Sequence, residues 1–301
     1  MRLSSRYIHT SHKVDPRQWE PGIAQDQQAY DHVLDFLFFD LELSGTYFLN
    51  RWLGLKLYVP LRMVGAEAQF NNFDGLEIAG FKSIHHRRET IMGIADVGTD
   101  AVFRFRPFQS KTLAWTMRVE TGLRWPTGKV EPNPDQLGSE GKEHQHIFFG
   151  RGSIVPILGM SHALRLPDFT MDLWGRLIYP FYAHELGYRA SRTYSGGLGL
   201  SSKFGLSQWQ FGVFGGVSRE MPAKWEDTPA RNSGRTQVNL NLRFQYYSGP
   251  KWAHGLTMQI PIYGKVEGGQ MAAGWMLSLE SNWYGLEEGT IESHDTSHTT
   301  N

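Results

Sequence analysis

Apolar and polar residues alternate one for one along much of this chain. Between residues 91 and 106, Ala95, Val97, Ala101, Phe103 and Phe105 fall on one parity, and Asp96, Gly98, Asp100, Arg104 and Arg106 on the other. Residues 112–125 repeat the pattern, with Leu113, Trp115, Met117, Val119, Leu123 and Trp125 against Thr116, Arg118, Glu120, Gly122 and Arg124. A helix would spread these charges round its circumference, whereas a strand gathers them on one face. The segments predict strands of roughly 10–14 residues, against about 5–6 in a soluble sheet. Long alternating strands with aromatic ends predict a closed barrel in a membrane, apolar outside and polar inside.

The same reading applied to the whole chain predicts strands at 32–48, 52–63, 91–106, 112–125, 144–160, 169–182, 192–204, 209–218, 236–247, 254–263 and 271–284. Short turns at Asn50-Arg51, Pro107–Lys111, Arg165–Asp168, Gly205–Gln208 and Ser248–Ala253 alternate with longer loops at 64–90, 126–143, 183–191 and 219–235. That asymmetry is the one expected of short periplasmic turns and longer external loops. Eleven strands leave one missing, because bacterial barrels close with an even number. The only room for it is before residue 32, and 3–13, with Leu3, Tyr7 and Ile8, is the candidate. The expected fold class is therefore all-β, an antiparallel transmembrane β-barrel of about 12 strands. Its organisation would be an N-terminal segment 1–31 holding the first strand, a barrel over 32–284 and a polar, disordered tail over 285–301.

Composition changes this picture little. Mean hydropathy is −0.40 and no run approaches the roughly 20 apolar residues of a transmembrane helix. Alternation cancels in such an average, so a barrel stays compatible with it. The 33 glycines and 13% aromatics suit strands with small inward residues and interfacial girdles. Thirty basic and thirty acidic residues give no case for nucleic acid, and the absence of cysteine agrees with an oxidising envelope. The start M-R-L-S-S-R-Y-I-H has no apolar core of a signal peptide. The expectation is a mature bacterial outer-membrane sequence.

Three short motifs carry a family likeness. Phe48–Pro60 reads F-L-N-R-W-L-G-L-K-L-Y-V-P, Gly93–Val97 reads G-I-A-D-V, and Trp125–Lys129 reads W-P-T-G-K. They resemble the early hairpin, the Gly-Ile-Gly-Asp strand start and the Leu-Pro-Thr-Gly strand end of outer-membrane proteins described as phenol meta-degradation pathway transporters. Ala95 stands where that family has its second glycine. The resemblance covers roughly residues 40–284. It implies a barrel and the transport of small, often aromatic or apolar, compounds.

Candidate chemistry follows from the parity. Asp96, Asp100, Arg104, Arg106, Arg118, Glu120 and Arg124 are expected to line the lumen, where buried charges need partners. Adjacent strands of opposite charge would then build a ladder, either structural or part of a selective channel. His85 and His86 lie in the dense run S-I-H-H-R-R-E-T, and His144 and His146 sit two apart on an expected strand. Imidazoles converging at one rim would be candidate metal ligands, which needs about four donors in place. A solvated loop end is the commoner role for such a run. The tryptophans and tyrosines near strand ends, among them Trp52, Trp115, Trp125, Tyr246, Tyr247, Trp252 and Trp283, are expected to form girdles.

Ser161 and His162 are adjacent, so a strand points them to opposite faces, and no Gly-x-Ser-x-Gly elbow is present. No catalytic residue is expected, no enzyme activity and no cofactor. The leading expectation is a passive channel for small apolar or aromatic molecules. The alternative is an occluded barrel serving as a scaffold or sheath in an envelope complex, for example round an electron-transfer partner. Expected partners are the lipid bilayer, a small apolar or aromatic ligand and envelope proteins.

Overall fold

Asn50 sets the first hairpin: its side-chain oxygen accepts the N–H groups of Trp52 and Leu53, each at 2.9 Å, a side-chain turn of the kind asparagine favours. On either side run β2 (Tyr30–Phe48) and β3 (Leu53–Asn71), each 19 residues long. The structure, a computed structural model, describes residues 1–14, 30–72, 74–78, 88–144, 147–204, 208–230, 233–267 and 274–285.

Before this hairpin comes β1 (Arg2–Val14). After it come β4 (Glu89–Ile94), β5 (Gly98–Gln109), β6 (Ala114–Arg124), β7 (Val155–Arg165) and β8 (Phe169–Ile178). A two-residue β9 (Tyr188–Arg189) precedes β10 (Thr193–Phe204) and β11 (Trp209–Glu220). Two more short pieces, β12 (Lys224–Trp225) and β13 (Thr228–Pro229), precede β14 (Arg235–Tyr247), β15 (Trp252–Val266) and β16 (Met276–Trp283).

Each barrel strand pairs antiparallel with its neighbours, β1 pairs with both β2 and β16, and β2 pairs with β3, so the sheet closes. Pieces β4 and β5 lie end to end along β3, so the thirteen segments make twelve staves. The barrel is thus the 12-strand antiparallel fold expected. Pieces β9, β12 and β13 form a separate small sheet in the long loops.

Alternation on β3 shows how the sequence builds the wall. Leu53, Leu55, Leu57, Leu61 and Met63 point outward, with Leu55 and Leu57 both 53% exposed. Lys56, Tyr58 and Arg62 point inward. Eleven residues at about 3.3 Å rise make roughly 36 Å of strand, or about 28 Å across a bilayer at a tilt near 40°. That matches an apolar band of about 25 Å.

Three expectations are corrected here. The strand expected over 91–106 is broken at residues 95–97. Pro60 on β3 has no N–H to give, so Ala95 donates to the Pro60 carbonyl at 3.0 Å without a return bond. One residue is absorbed at the break, and the parity of β4 is opposite to that of β5. Met92 and Ile94 therefore face outward, while Ala95, expected outward, is buried.

The loop expected from residue 64 starts only after Asn71, because β3 continues. The strand expected from 144 starts only at Val155. Residues 147–154 are instead part of the long connection 125–154, which also holds the short helix α1 (Pro134–Ser139), capped by Asn133 accepting from Asp135 N–H at 3.0 Å.

Candidate functional site: the barrel lumen

The inward faces of β3, β5 and β6 carry the charge ladder. Arg124 donates to both oxygens of Asp100, at 2.6 and 3.2 Å, and both side chains are buried. The same guanidinium lies over the Tyr58 ring, 5.0 Å from its centre. Lys56 reaches Glu120 at 2.8 Å and Asp100 at 4.0 Å, and Arg118 reaches Glu120 at 3.1 Å. Further pairs complete the wall: Arg62 with Asp40 at 2.5 Å, Arg235 with Glu220 at 3.1 Å, and Arg243 with Glu280 at 3.4 Å. Such charges are tolerable away from bulk water because each is matched.

Of the residues singled out from sequence, Asp100, Arg118, Glu120 and Arg124 come together in this ladder. Arg104 stands opposite Arg118 in the β5–β6 register, its guanidinium 4.3 Å from the centre of the Phe48 ring. Arg106 sits where the β5–β6 register shifts between Phe105 and Phe108, and it is exposed. Pro107, which cannot donate to a ladder, occupies that bulge. Asp96 is buried in the β4–β5 break, not in the ladder. His85, His86 and His146 lie outside the described residues. His144 is in the long loop rather than on a strand, buried, with Nδ1 2.8 Å from the Lys142 carbonyl. Among the described residues no group of three or more His, Asp or Glu side chains is placed to hold a metal ion.

Sequence parity sets Lys56, Tyr58 and Arg62 opposite the outward leucines of 52–63, but it does not single out Asp40, Arg6, Arg176 or Arg235. The signal was available, since each sits on its strand's inward parity. Trp209 and Tyr246 pair on the outside, ring centres 4.6 Å apart, as girdle residues should. Tyr247, also expected in a girdle, is turned the other way and donates to Gln210 at 3.0 Å.

Two of the motifs quoted above meet at the β4–β5 break. Thr127 accepts the Val97 N–H and donates to the Ala95 carbonyl, both at 2.9 Å, replacing the missing ladder bonds. Asp96 accepts the N–H groups of Gly128 at 3.2 Å and Arg151 at 2.8 Å. These contacts fasten both ends of the loop 125–154 to the barrel. Lys129 then receives the N–H groups of Phe149 and Gly150, both at 3.1 Å.

So fastened, the loop reaches inward. Ile147 and Phe149 pack on a buried apolar cluster made by Ile8, Leu34, Phe36, Phe38 and Val64, all on inward parities. Phe148 points the other way, against Tyr188 and Trp225, with ring centres 5.3 and 6.1 Å away. Burial holds the Tyr188 phenol up at about 12, with the nearby Glu220 charge adding to it. The outer half of the lumen thus has one apolar wall, covered in part by this loop.

Gly150→Val tests the fastening. A Cβ at Gly150 would stand 2.2 Å from the Gly128 carbonyl oxygen and 2.7 Å from Asp96 Oδ1. Backbone on one side leaves nothing flexible to yield. We expect a loss of about 1–3 kcal/mol from overpacking and faster protease cleavage within residues 125–154. Unchanged cleavage would show that the loop is not held at this point.

No protein-family model and no curated protein matches the chain. Among solved structures, an outer membrane channel from Pseudomonas putida F1 overlays 94% of this chain and 95% of its own with TM-score 0.57 at 11% identity. The fold is that of bacterial outer-membrane β-barrels. OmpT of Vibrio cholerae covers 94% of this chain and 98% of its own at 8% identity, with TM-score 0.35. OccK7 of Pseudomonas aeruginosa covers 93% and 98% at 10% identity, with TM-score 0.30.

Proposed function

We propose that this protein is an outer-membrane channel giving passive passage to small molecules, apolar or aromatic ones among them. The observation that carries the reading is the division of the lumen. A charged ladder on β3, β5 and β6 gives the lumen a polar wall of matched charges, and the Ile8–Phe36–Phe38–Val64 cluster gives it an apolar one. A lumen with both a charged and an apolar wall suits a cargo that has an apolar body and a polar end. The resemblance of Gly93–Val97 and Trp125–Lys129 to the phenol-pathway transporters supports the same cargo class, and those two motifs meet at the edge of the apolar wall.

A second reading has its own support. Because residues 147–151 fold inward and are fastened at Asp96, the barrel also suits an occluded scaffold that works with envelope partners. Single-channel recording of the purified full chain in a planar bilayer separates the two. The channel reading expects stable ohmic steps, with ion selectivity altered by Arg118→Glu. A folded, heat-modifiable barrel that conducts nothing would overturn it and leave the scaffold reading.

A further inference from the structure

Half-way round the staves from β2 and β3 stand β10 and β11, with β8 beside them. Leu173 of β8, Leu198 and Leu200 of β10 and Val213 of β11 are exposed on the outer face. The alternate positions, Trp174, Gly197, Gly199, Gly212, Phe214 and Gly216, therefore face the lumen. Pairing runs residue for residue through the three strands, so these glycines mark no bulge. They mark instead where a ring comes down onto the backbone. The register sets Gly197 between Trp174 and Gly216, and Gly199 opposite Phe214. A Cβ at Gly197 would stand 2.9 Å from Trp174 Nε1, and one at Gly216 would stand 3.4 Å from its Cζ2, so the indole lies across both neighbouring strands. A Cβ at Gly199 would run into the Cδ1–Cε1 edge of Phe214, and one at Gly212 would stand 2.5 Å from Cε2 on the other edge. Both edges of that ring rest on glycine.

Each ring thus lies along the wall and turns its free face to the lumen. Both are only half-buried, and Arg176, the next inward residue of β8, is exposed, so the lumen is open beside them. We propose that Trp174 and Phe214 form a stacking site for a planar aromatic molecule. A flat ring can lie offset against either of them, an arrangement that aromatic pairs favour beyond the area they bury. A saturated ring of the same size is thicker, has no π face and gains the burial alone. The four glycines give the rings this pose, since a side chain at Gly199 or Gly197 would lift them off the wall. The inference narrows the cargo of the proposed channel to planar aromatic molecules and rests on that reading for its transport meaning. Binding at the two rings stands without it.

The probes are benzyl alcohol and cyclohexylmethanol, two neutral molecules that differ only in the ring. Binding to the full chain in lipid nanodiscs is read by saturation-transfer NMR, with the signal from empty nanodiscs subtracted. We expect benzyl alcohol to bind about threefold or more tighter than cyclohexylmethanol. Trp174→Leu should weaken benzyl alcohol about fivefold, the worth of one ring–ring contact, and should change cyclohexylmethanol less. Phe214→Leu should act in the same way, which keeps the test sharp if the tryptophan variant inserts poorly. If neither substitution lowers the affinity for benzyl alcohol, the rings only line the wall and the inference falls. A conducting barrel that binds both probes alike overturns this inference and spares the channel. A barrel that conducts nothing in the planar bilayer but still prefers benzyl alcohol through Trp174 keeps this inference and removes the channel.

Discussion

Asp100→Asn should destabilise the barrel by about 3–5 kcal/mol, the cost of leaving a buried charge without its partner. Asp100 is fully enclosed and Arg124 is 5% exposed at the side chain, so solvent offers Arg124 little replacement. Asparagine keeps the shape and removes the charge. Arg124 would then keep one neutral amide acceptor, the Tyr58 ring and a 3.2 Å bond to the Leu123 carbonyl, but no opposite charge, with Lys56 nearby as a like one. The wall has no slack to rearrange. A Cβ at Gly98 would meet Arg124 Nη1 at 2.2 Å, and one at Gly122 would meet Asp100 Oδ1 at 2.2 Å, so the two glycines exist as clearance for this pair. Urea titration of the protein in vesicles reads the effect. Asp100→Leu combined with Arg124→Met should recover much of the loss, because an apolar pair needs no partner. If Asp100→Asn costs less than about 0.5 kcal/mol, water reaches the pair and the ladder is not the structural element described.

How far the sequence could be read depends on where each residue stands relative to the bilayer. Within the apolar band, outward leucines and inward charges alternate, and β3, β5 and β6 could be read from parity alone. Above the band the outer surface meets water, and the contrast reverses. On β3 beyond Met63, Val64, Ala66 and Ala68 turn inward against the apolar cluster while Glu67 faces out. The rule that polar means lumen reads that stretch as a loop. The loop 144–154 misleads in the opposite sense. Ile147 and Phe149 alternate with Phe148 as a strand would, but they alternate between two partners, the lumen cluster and the Tyr188–Trp225 pair.

The break at 95–97 is hidden for a different reason. Ala95, Asp96 and Val97 keep perfect alternation, and the cause lies far away in sequence, at Pro60 and Thr127. Local periodicity carries no trace of a missing donor on the neighbouring strand. The same distance explains the candidate site. Each of Lys56, Asp100 and Arg124 reads as one more inward charge, and only the pairing of β3 with β5 and of β5 with β6 shows that they meet.

Leu57→Arg should cost about 2–4 kcal/mol, the penalty for a cation on the lipid face near the bilayer midplane. The neighbouring position is the internal contrast: Lys56 is a cation already, one residue away, and is stable because it faces Glu120 across the lumen wall. Parity alone separates a tolerated charge from a costly one, which is the period-2 logic of a barrel in its plainest form. Depth provides the control. Leu53 begins β3 beside the short turn, so Leu53→Arg should reach the headgroups and cost no more than about 1 kcal/mol. Both are read by guanidinium titration in lipid vesicles, following tryptophan fluorescence. Equal costs at the two positions would mean that the leucine band does not sit in hydrocarbon, and the transmembrane reading of the barrel would fall with it.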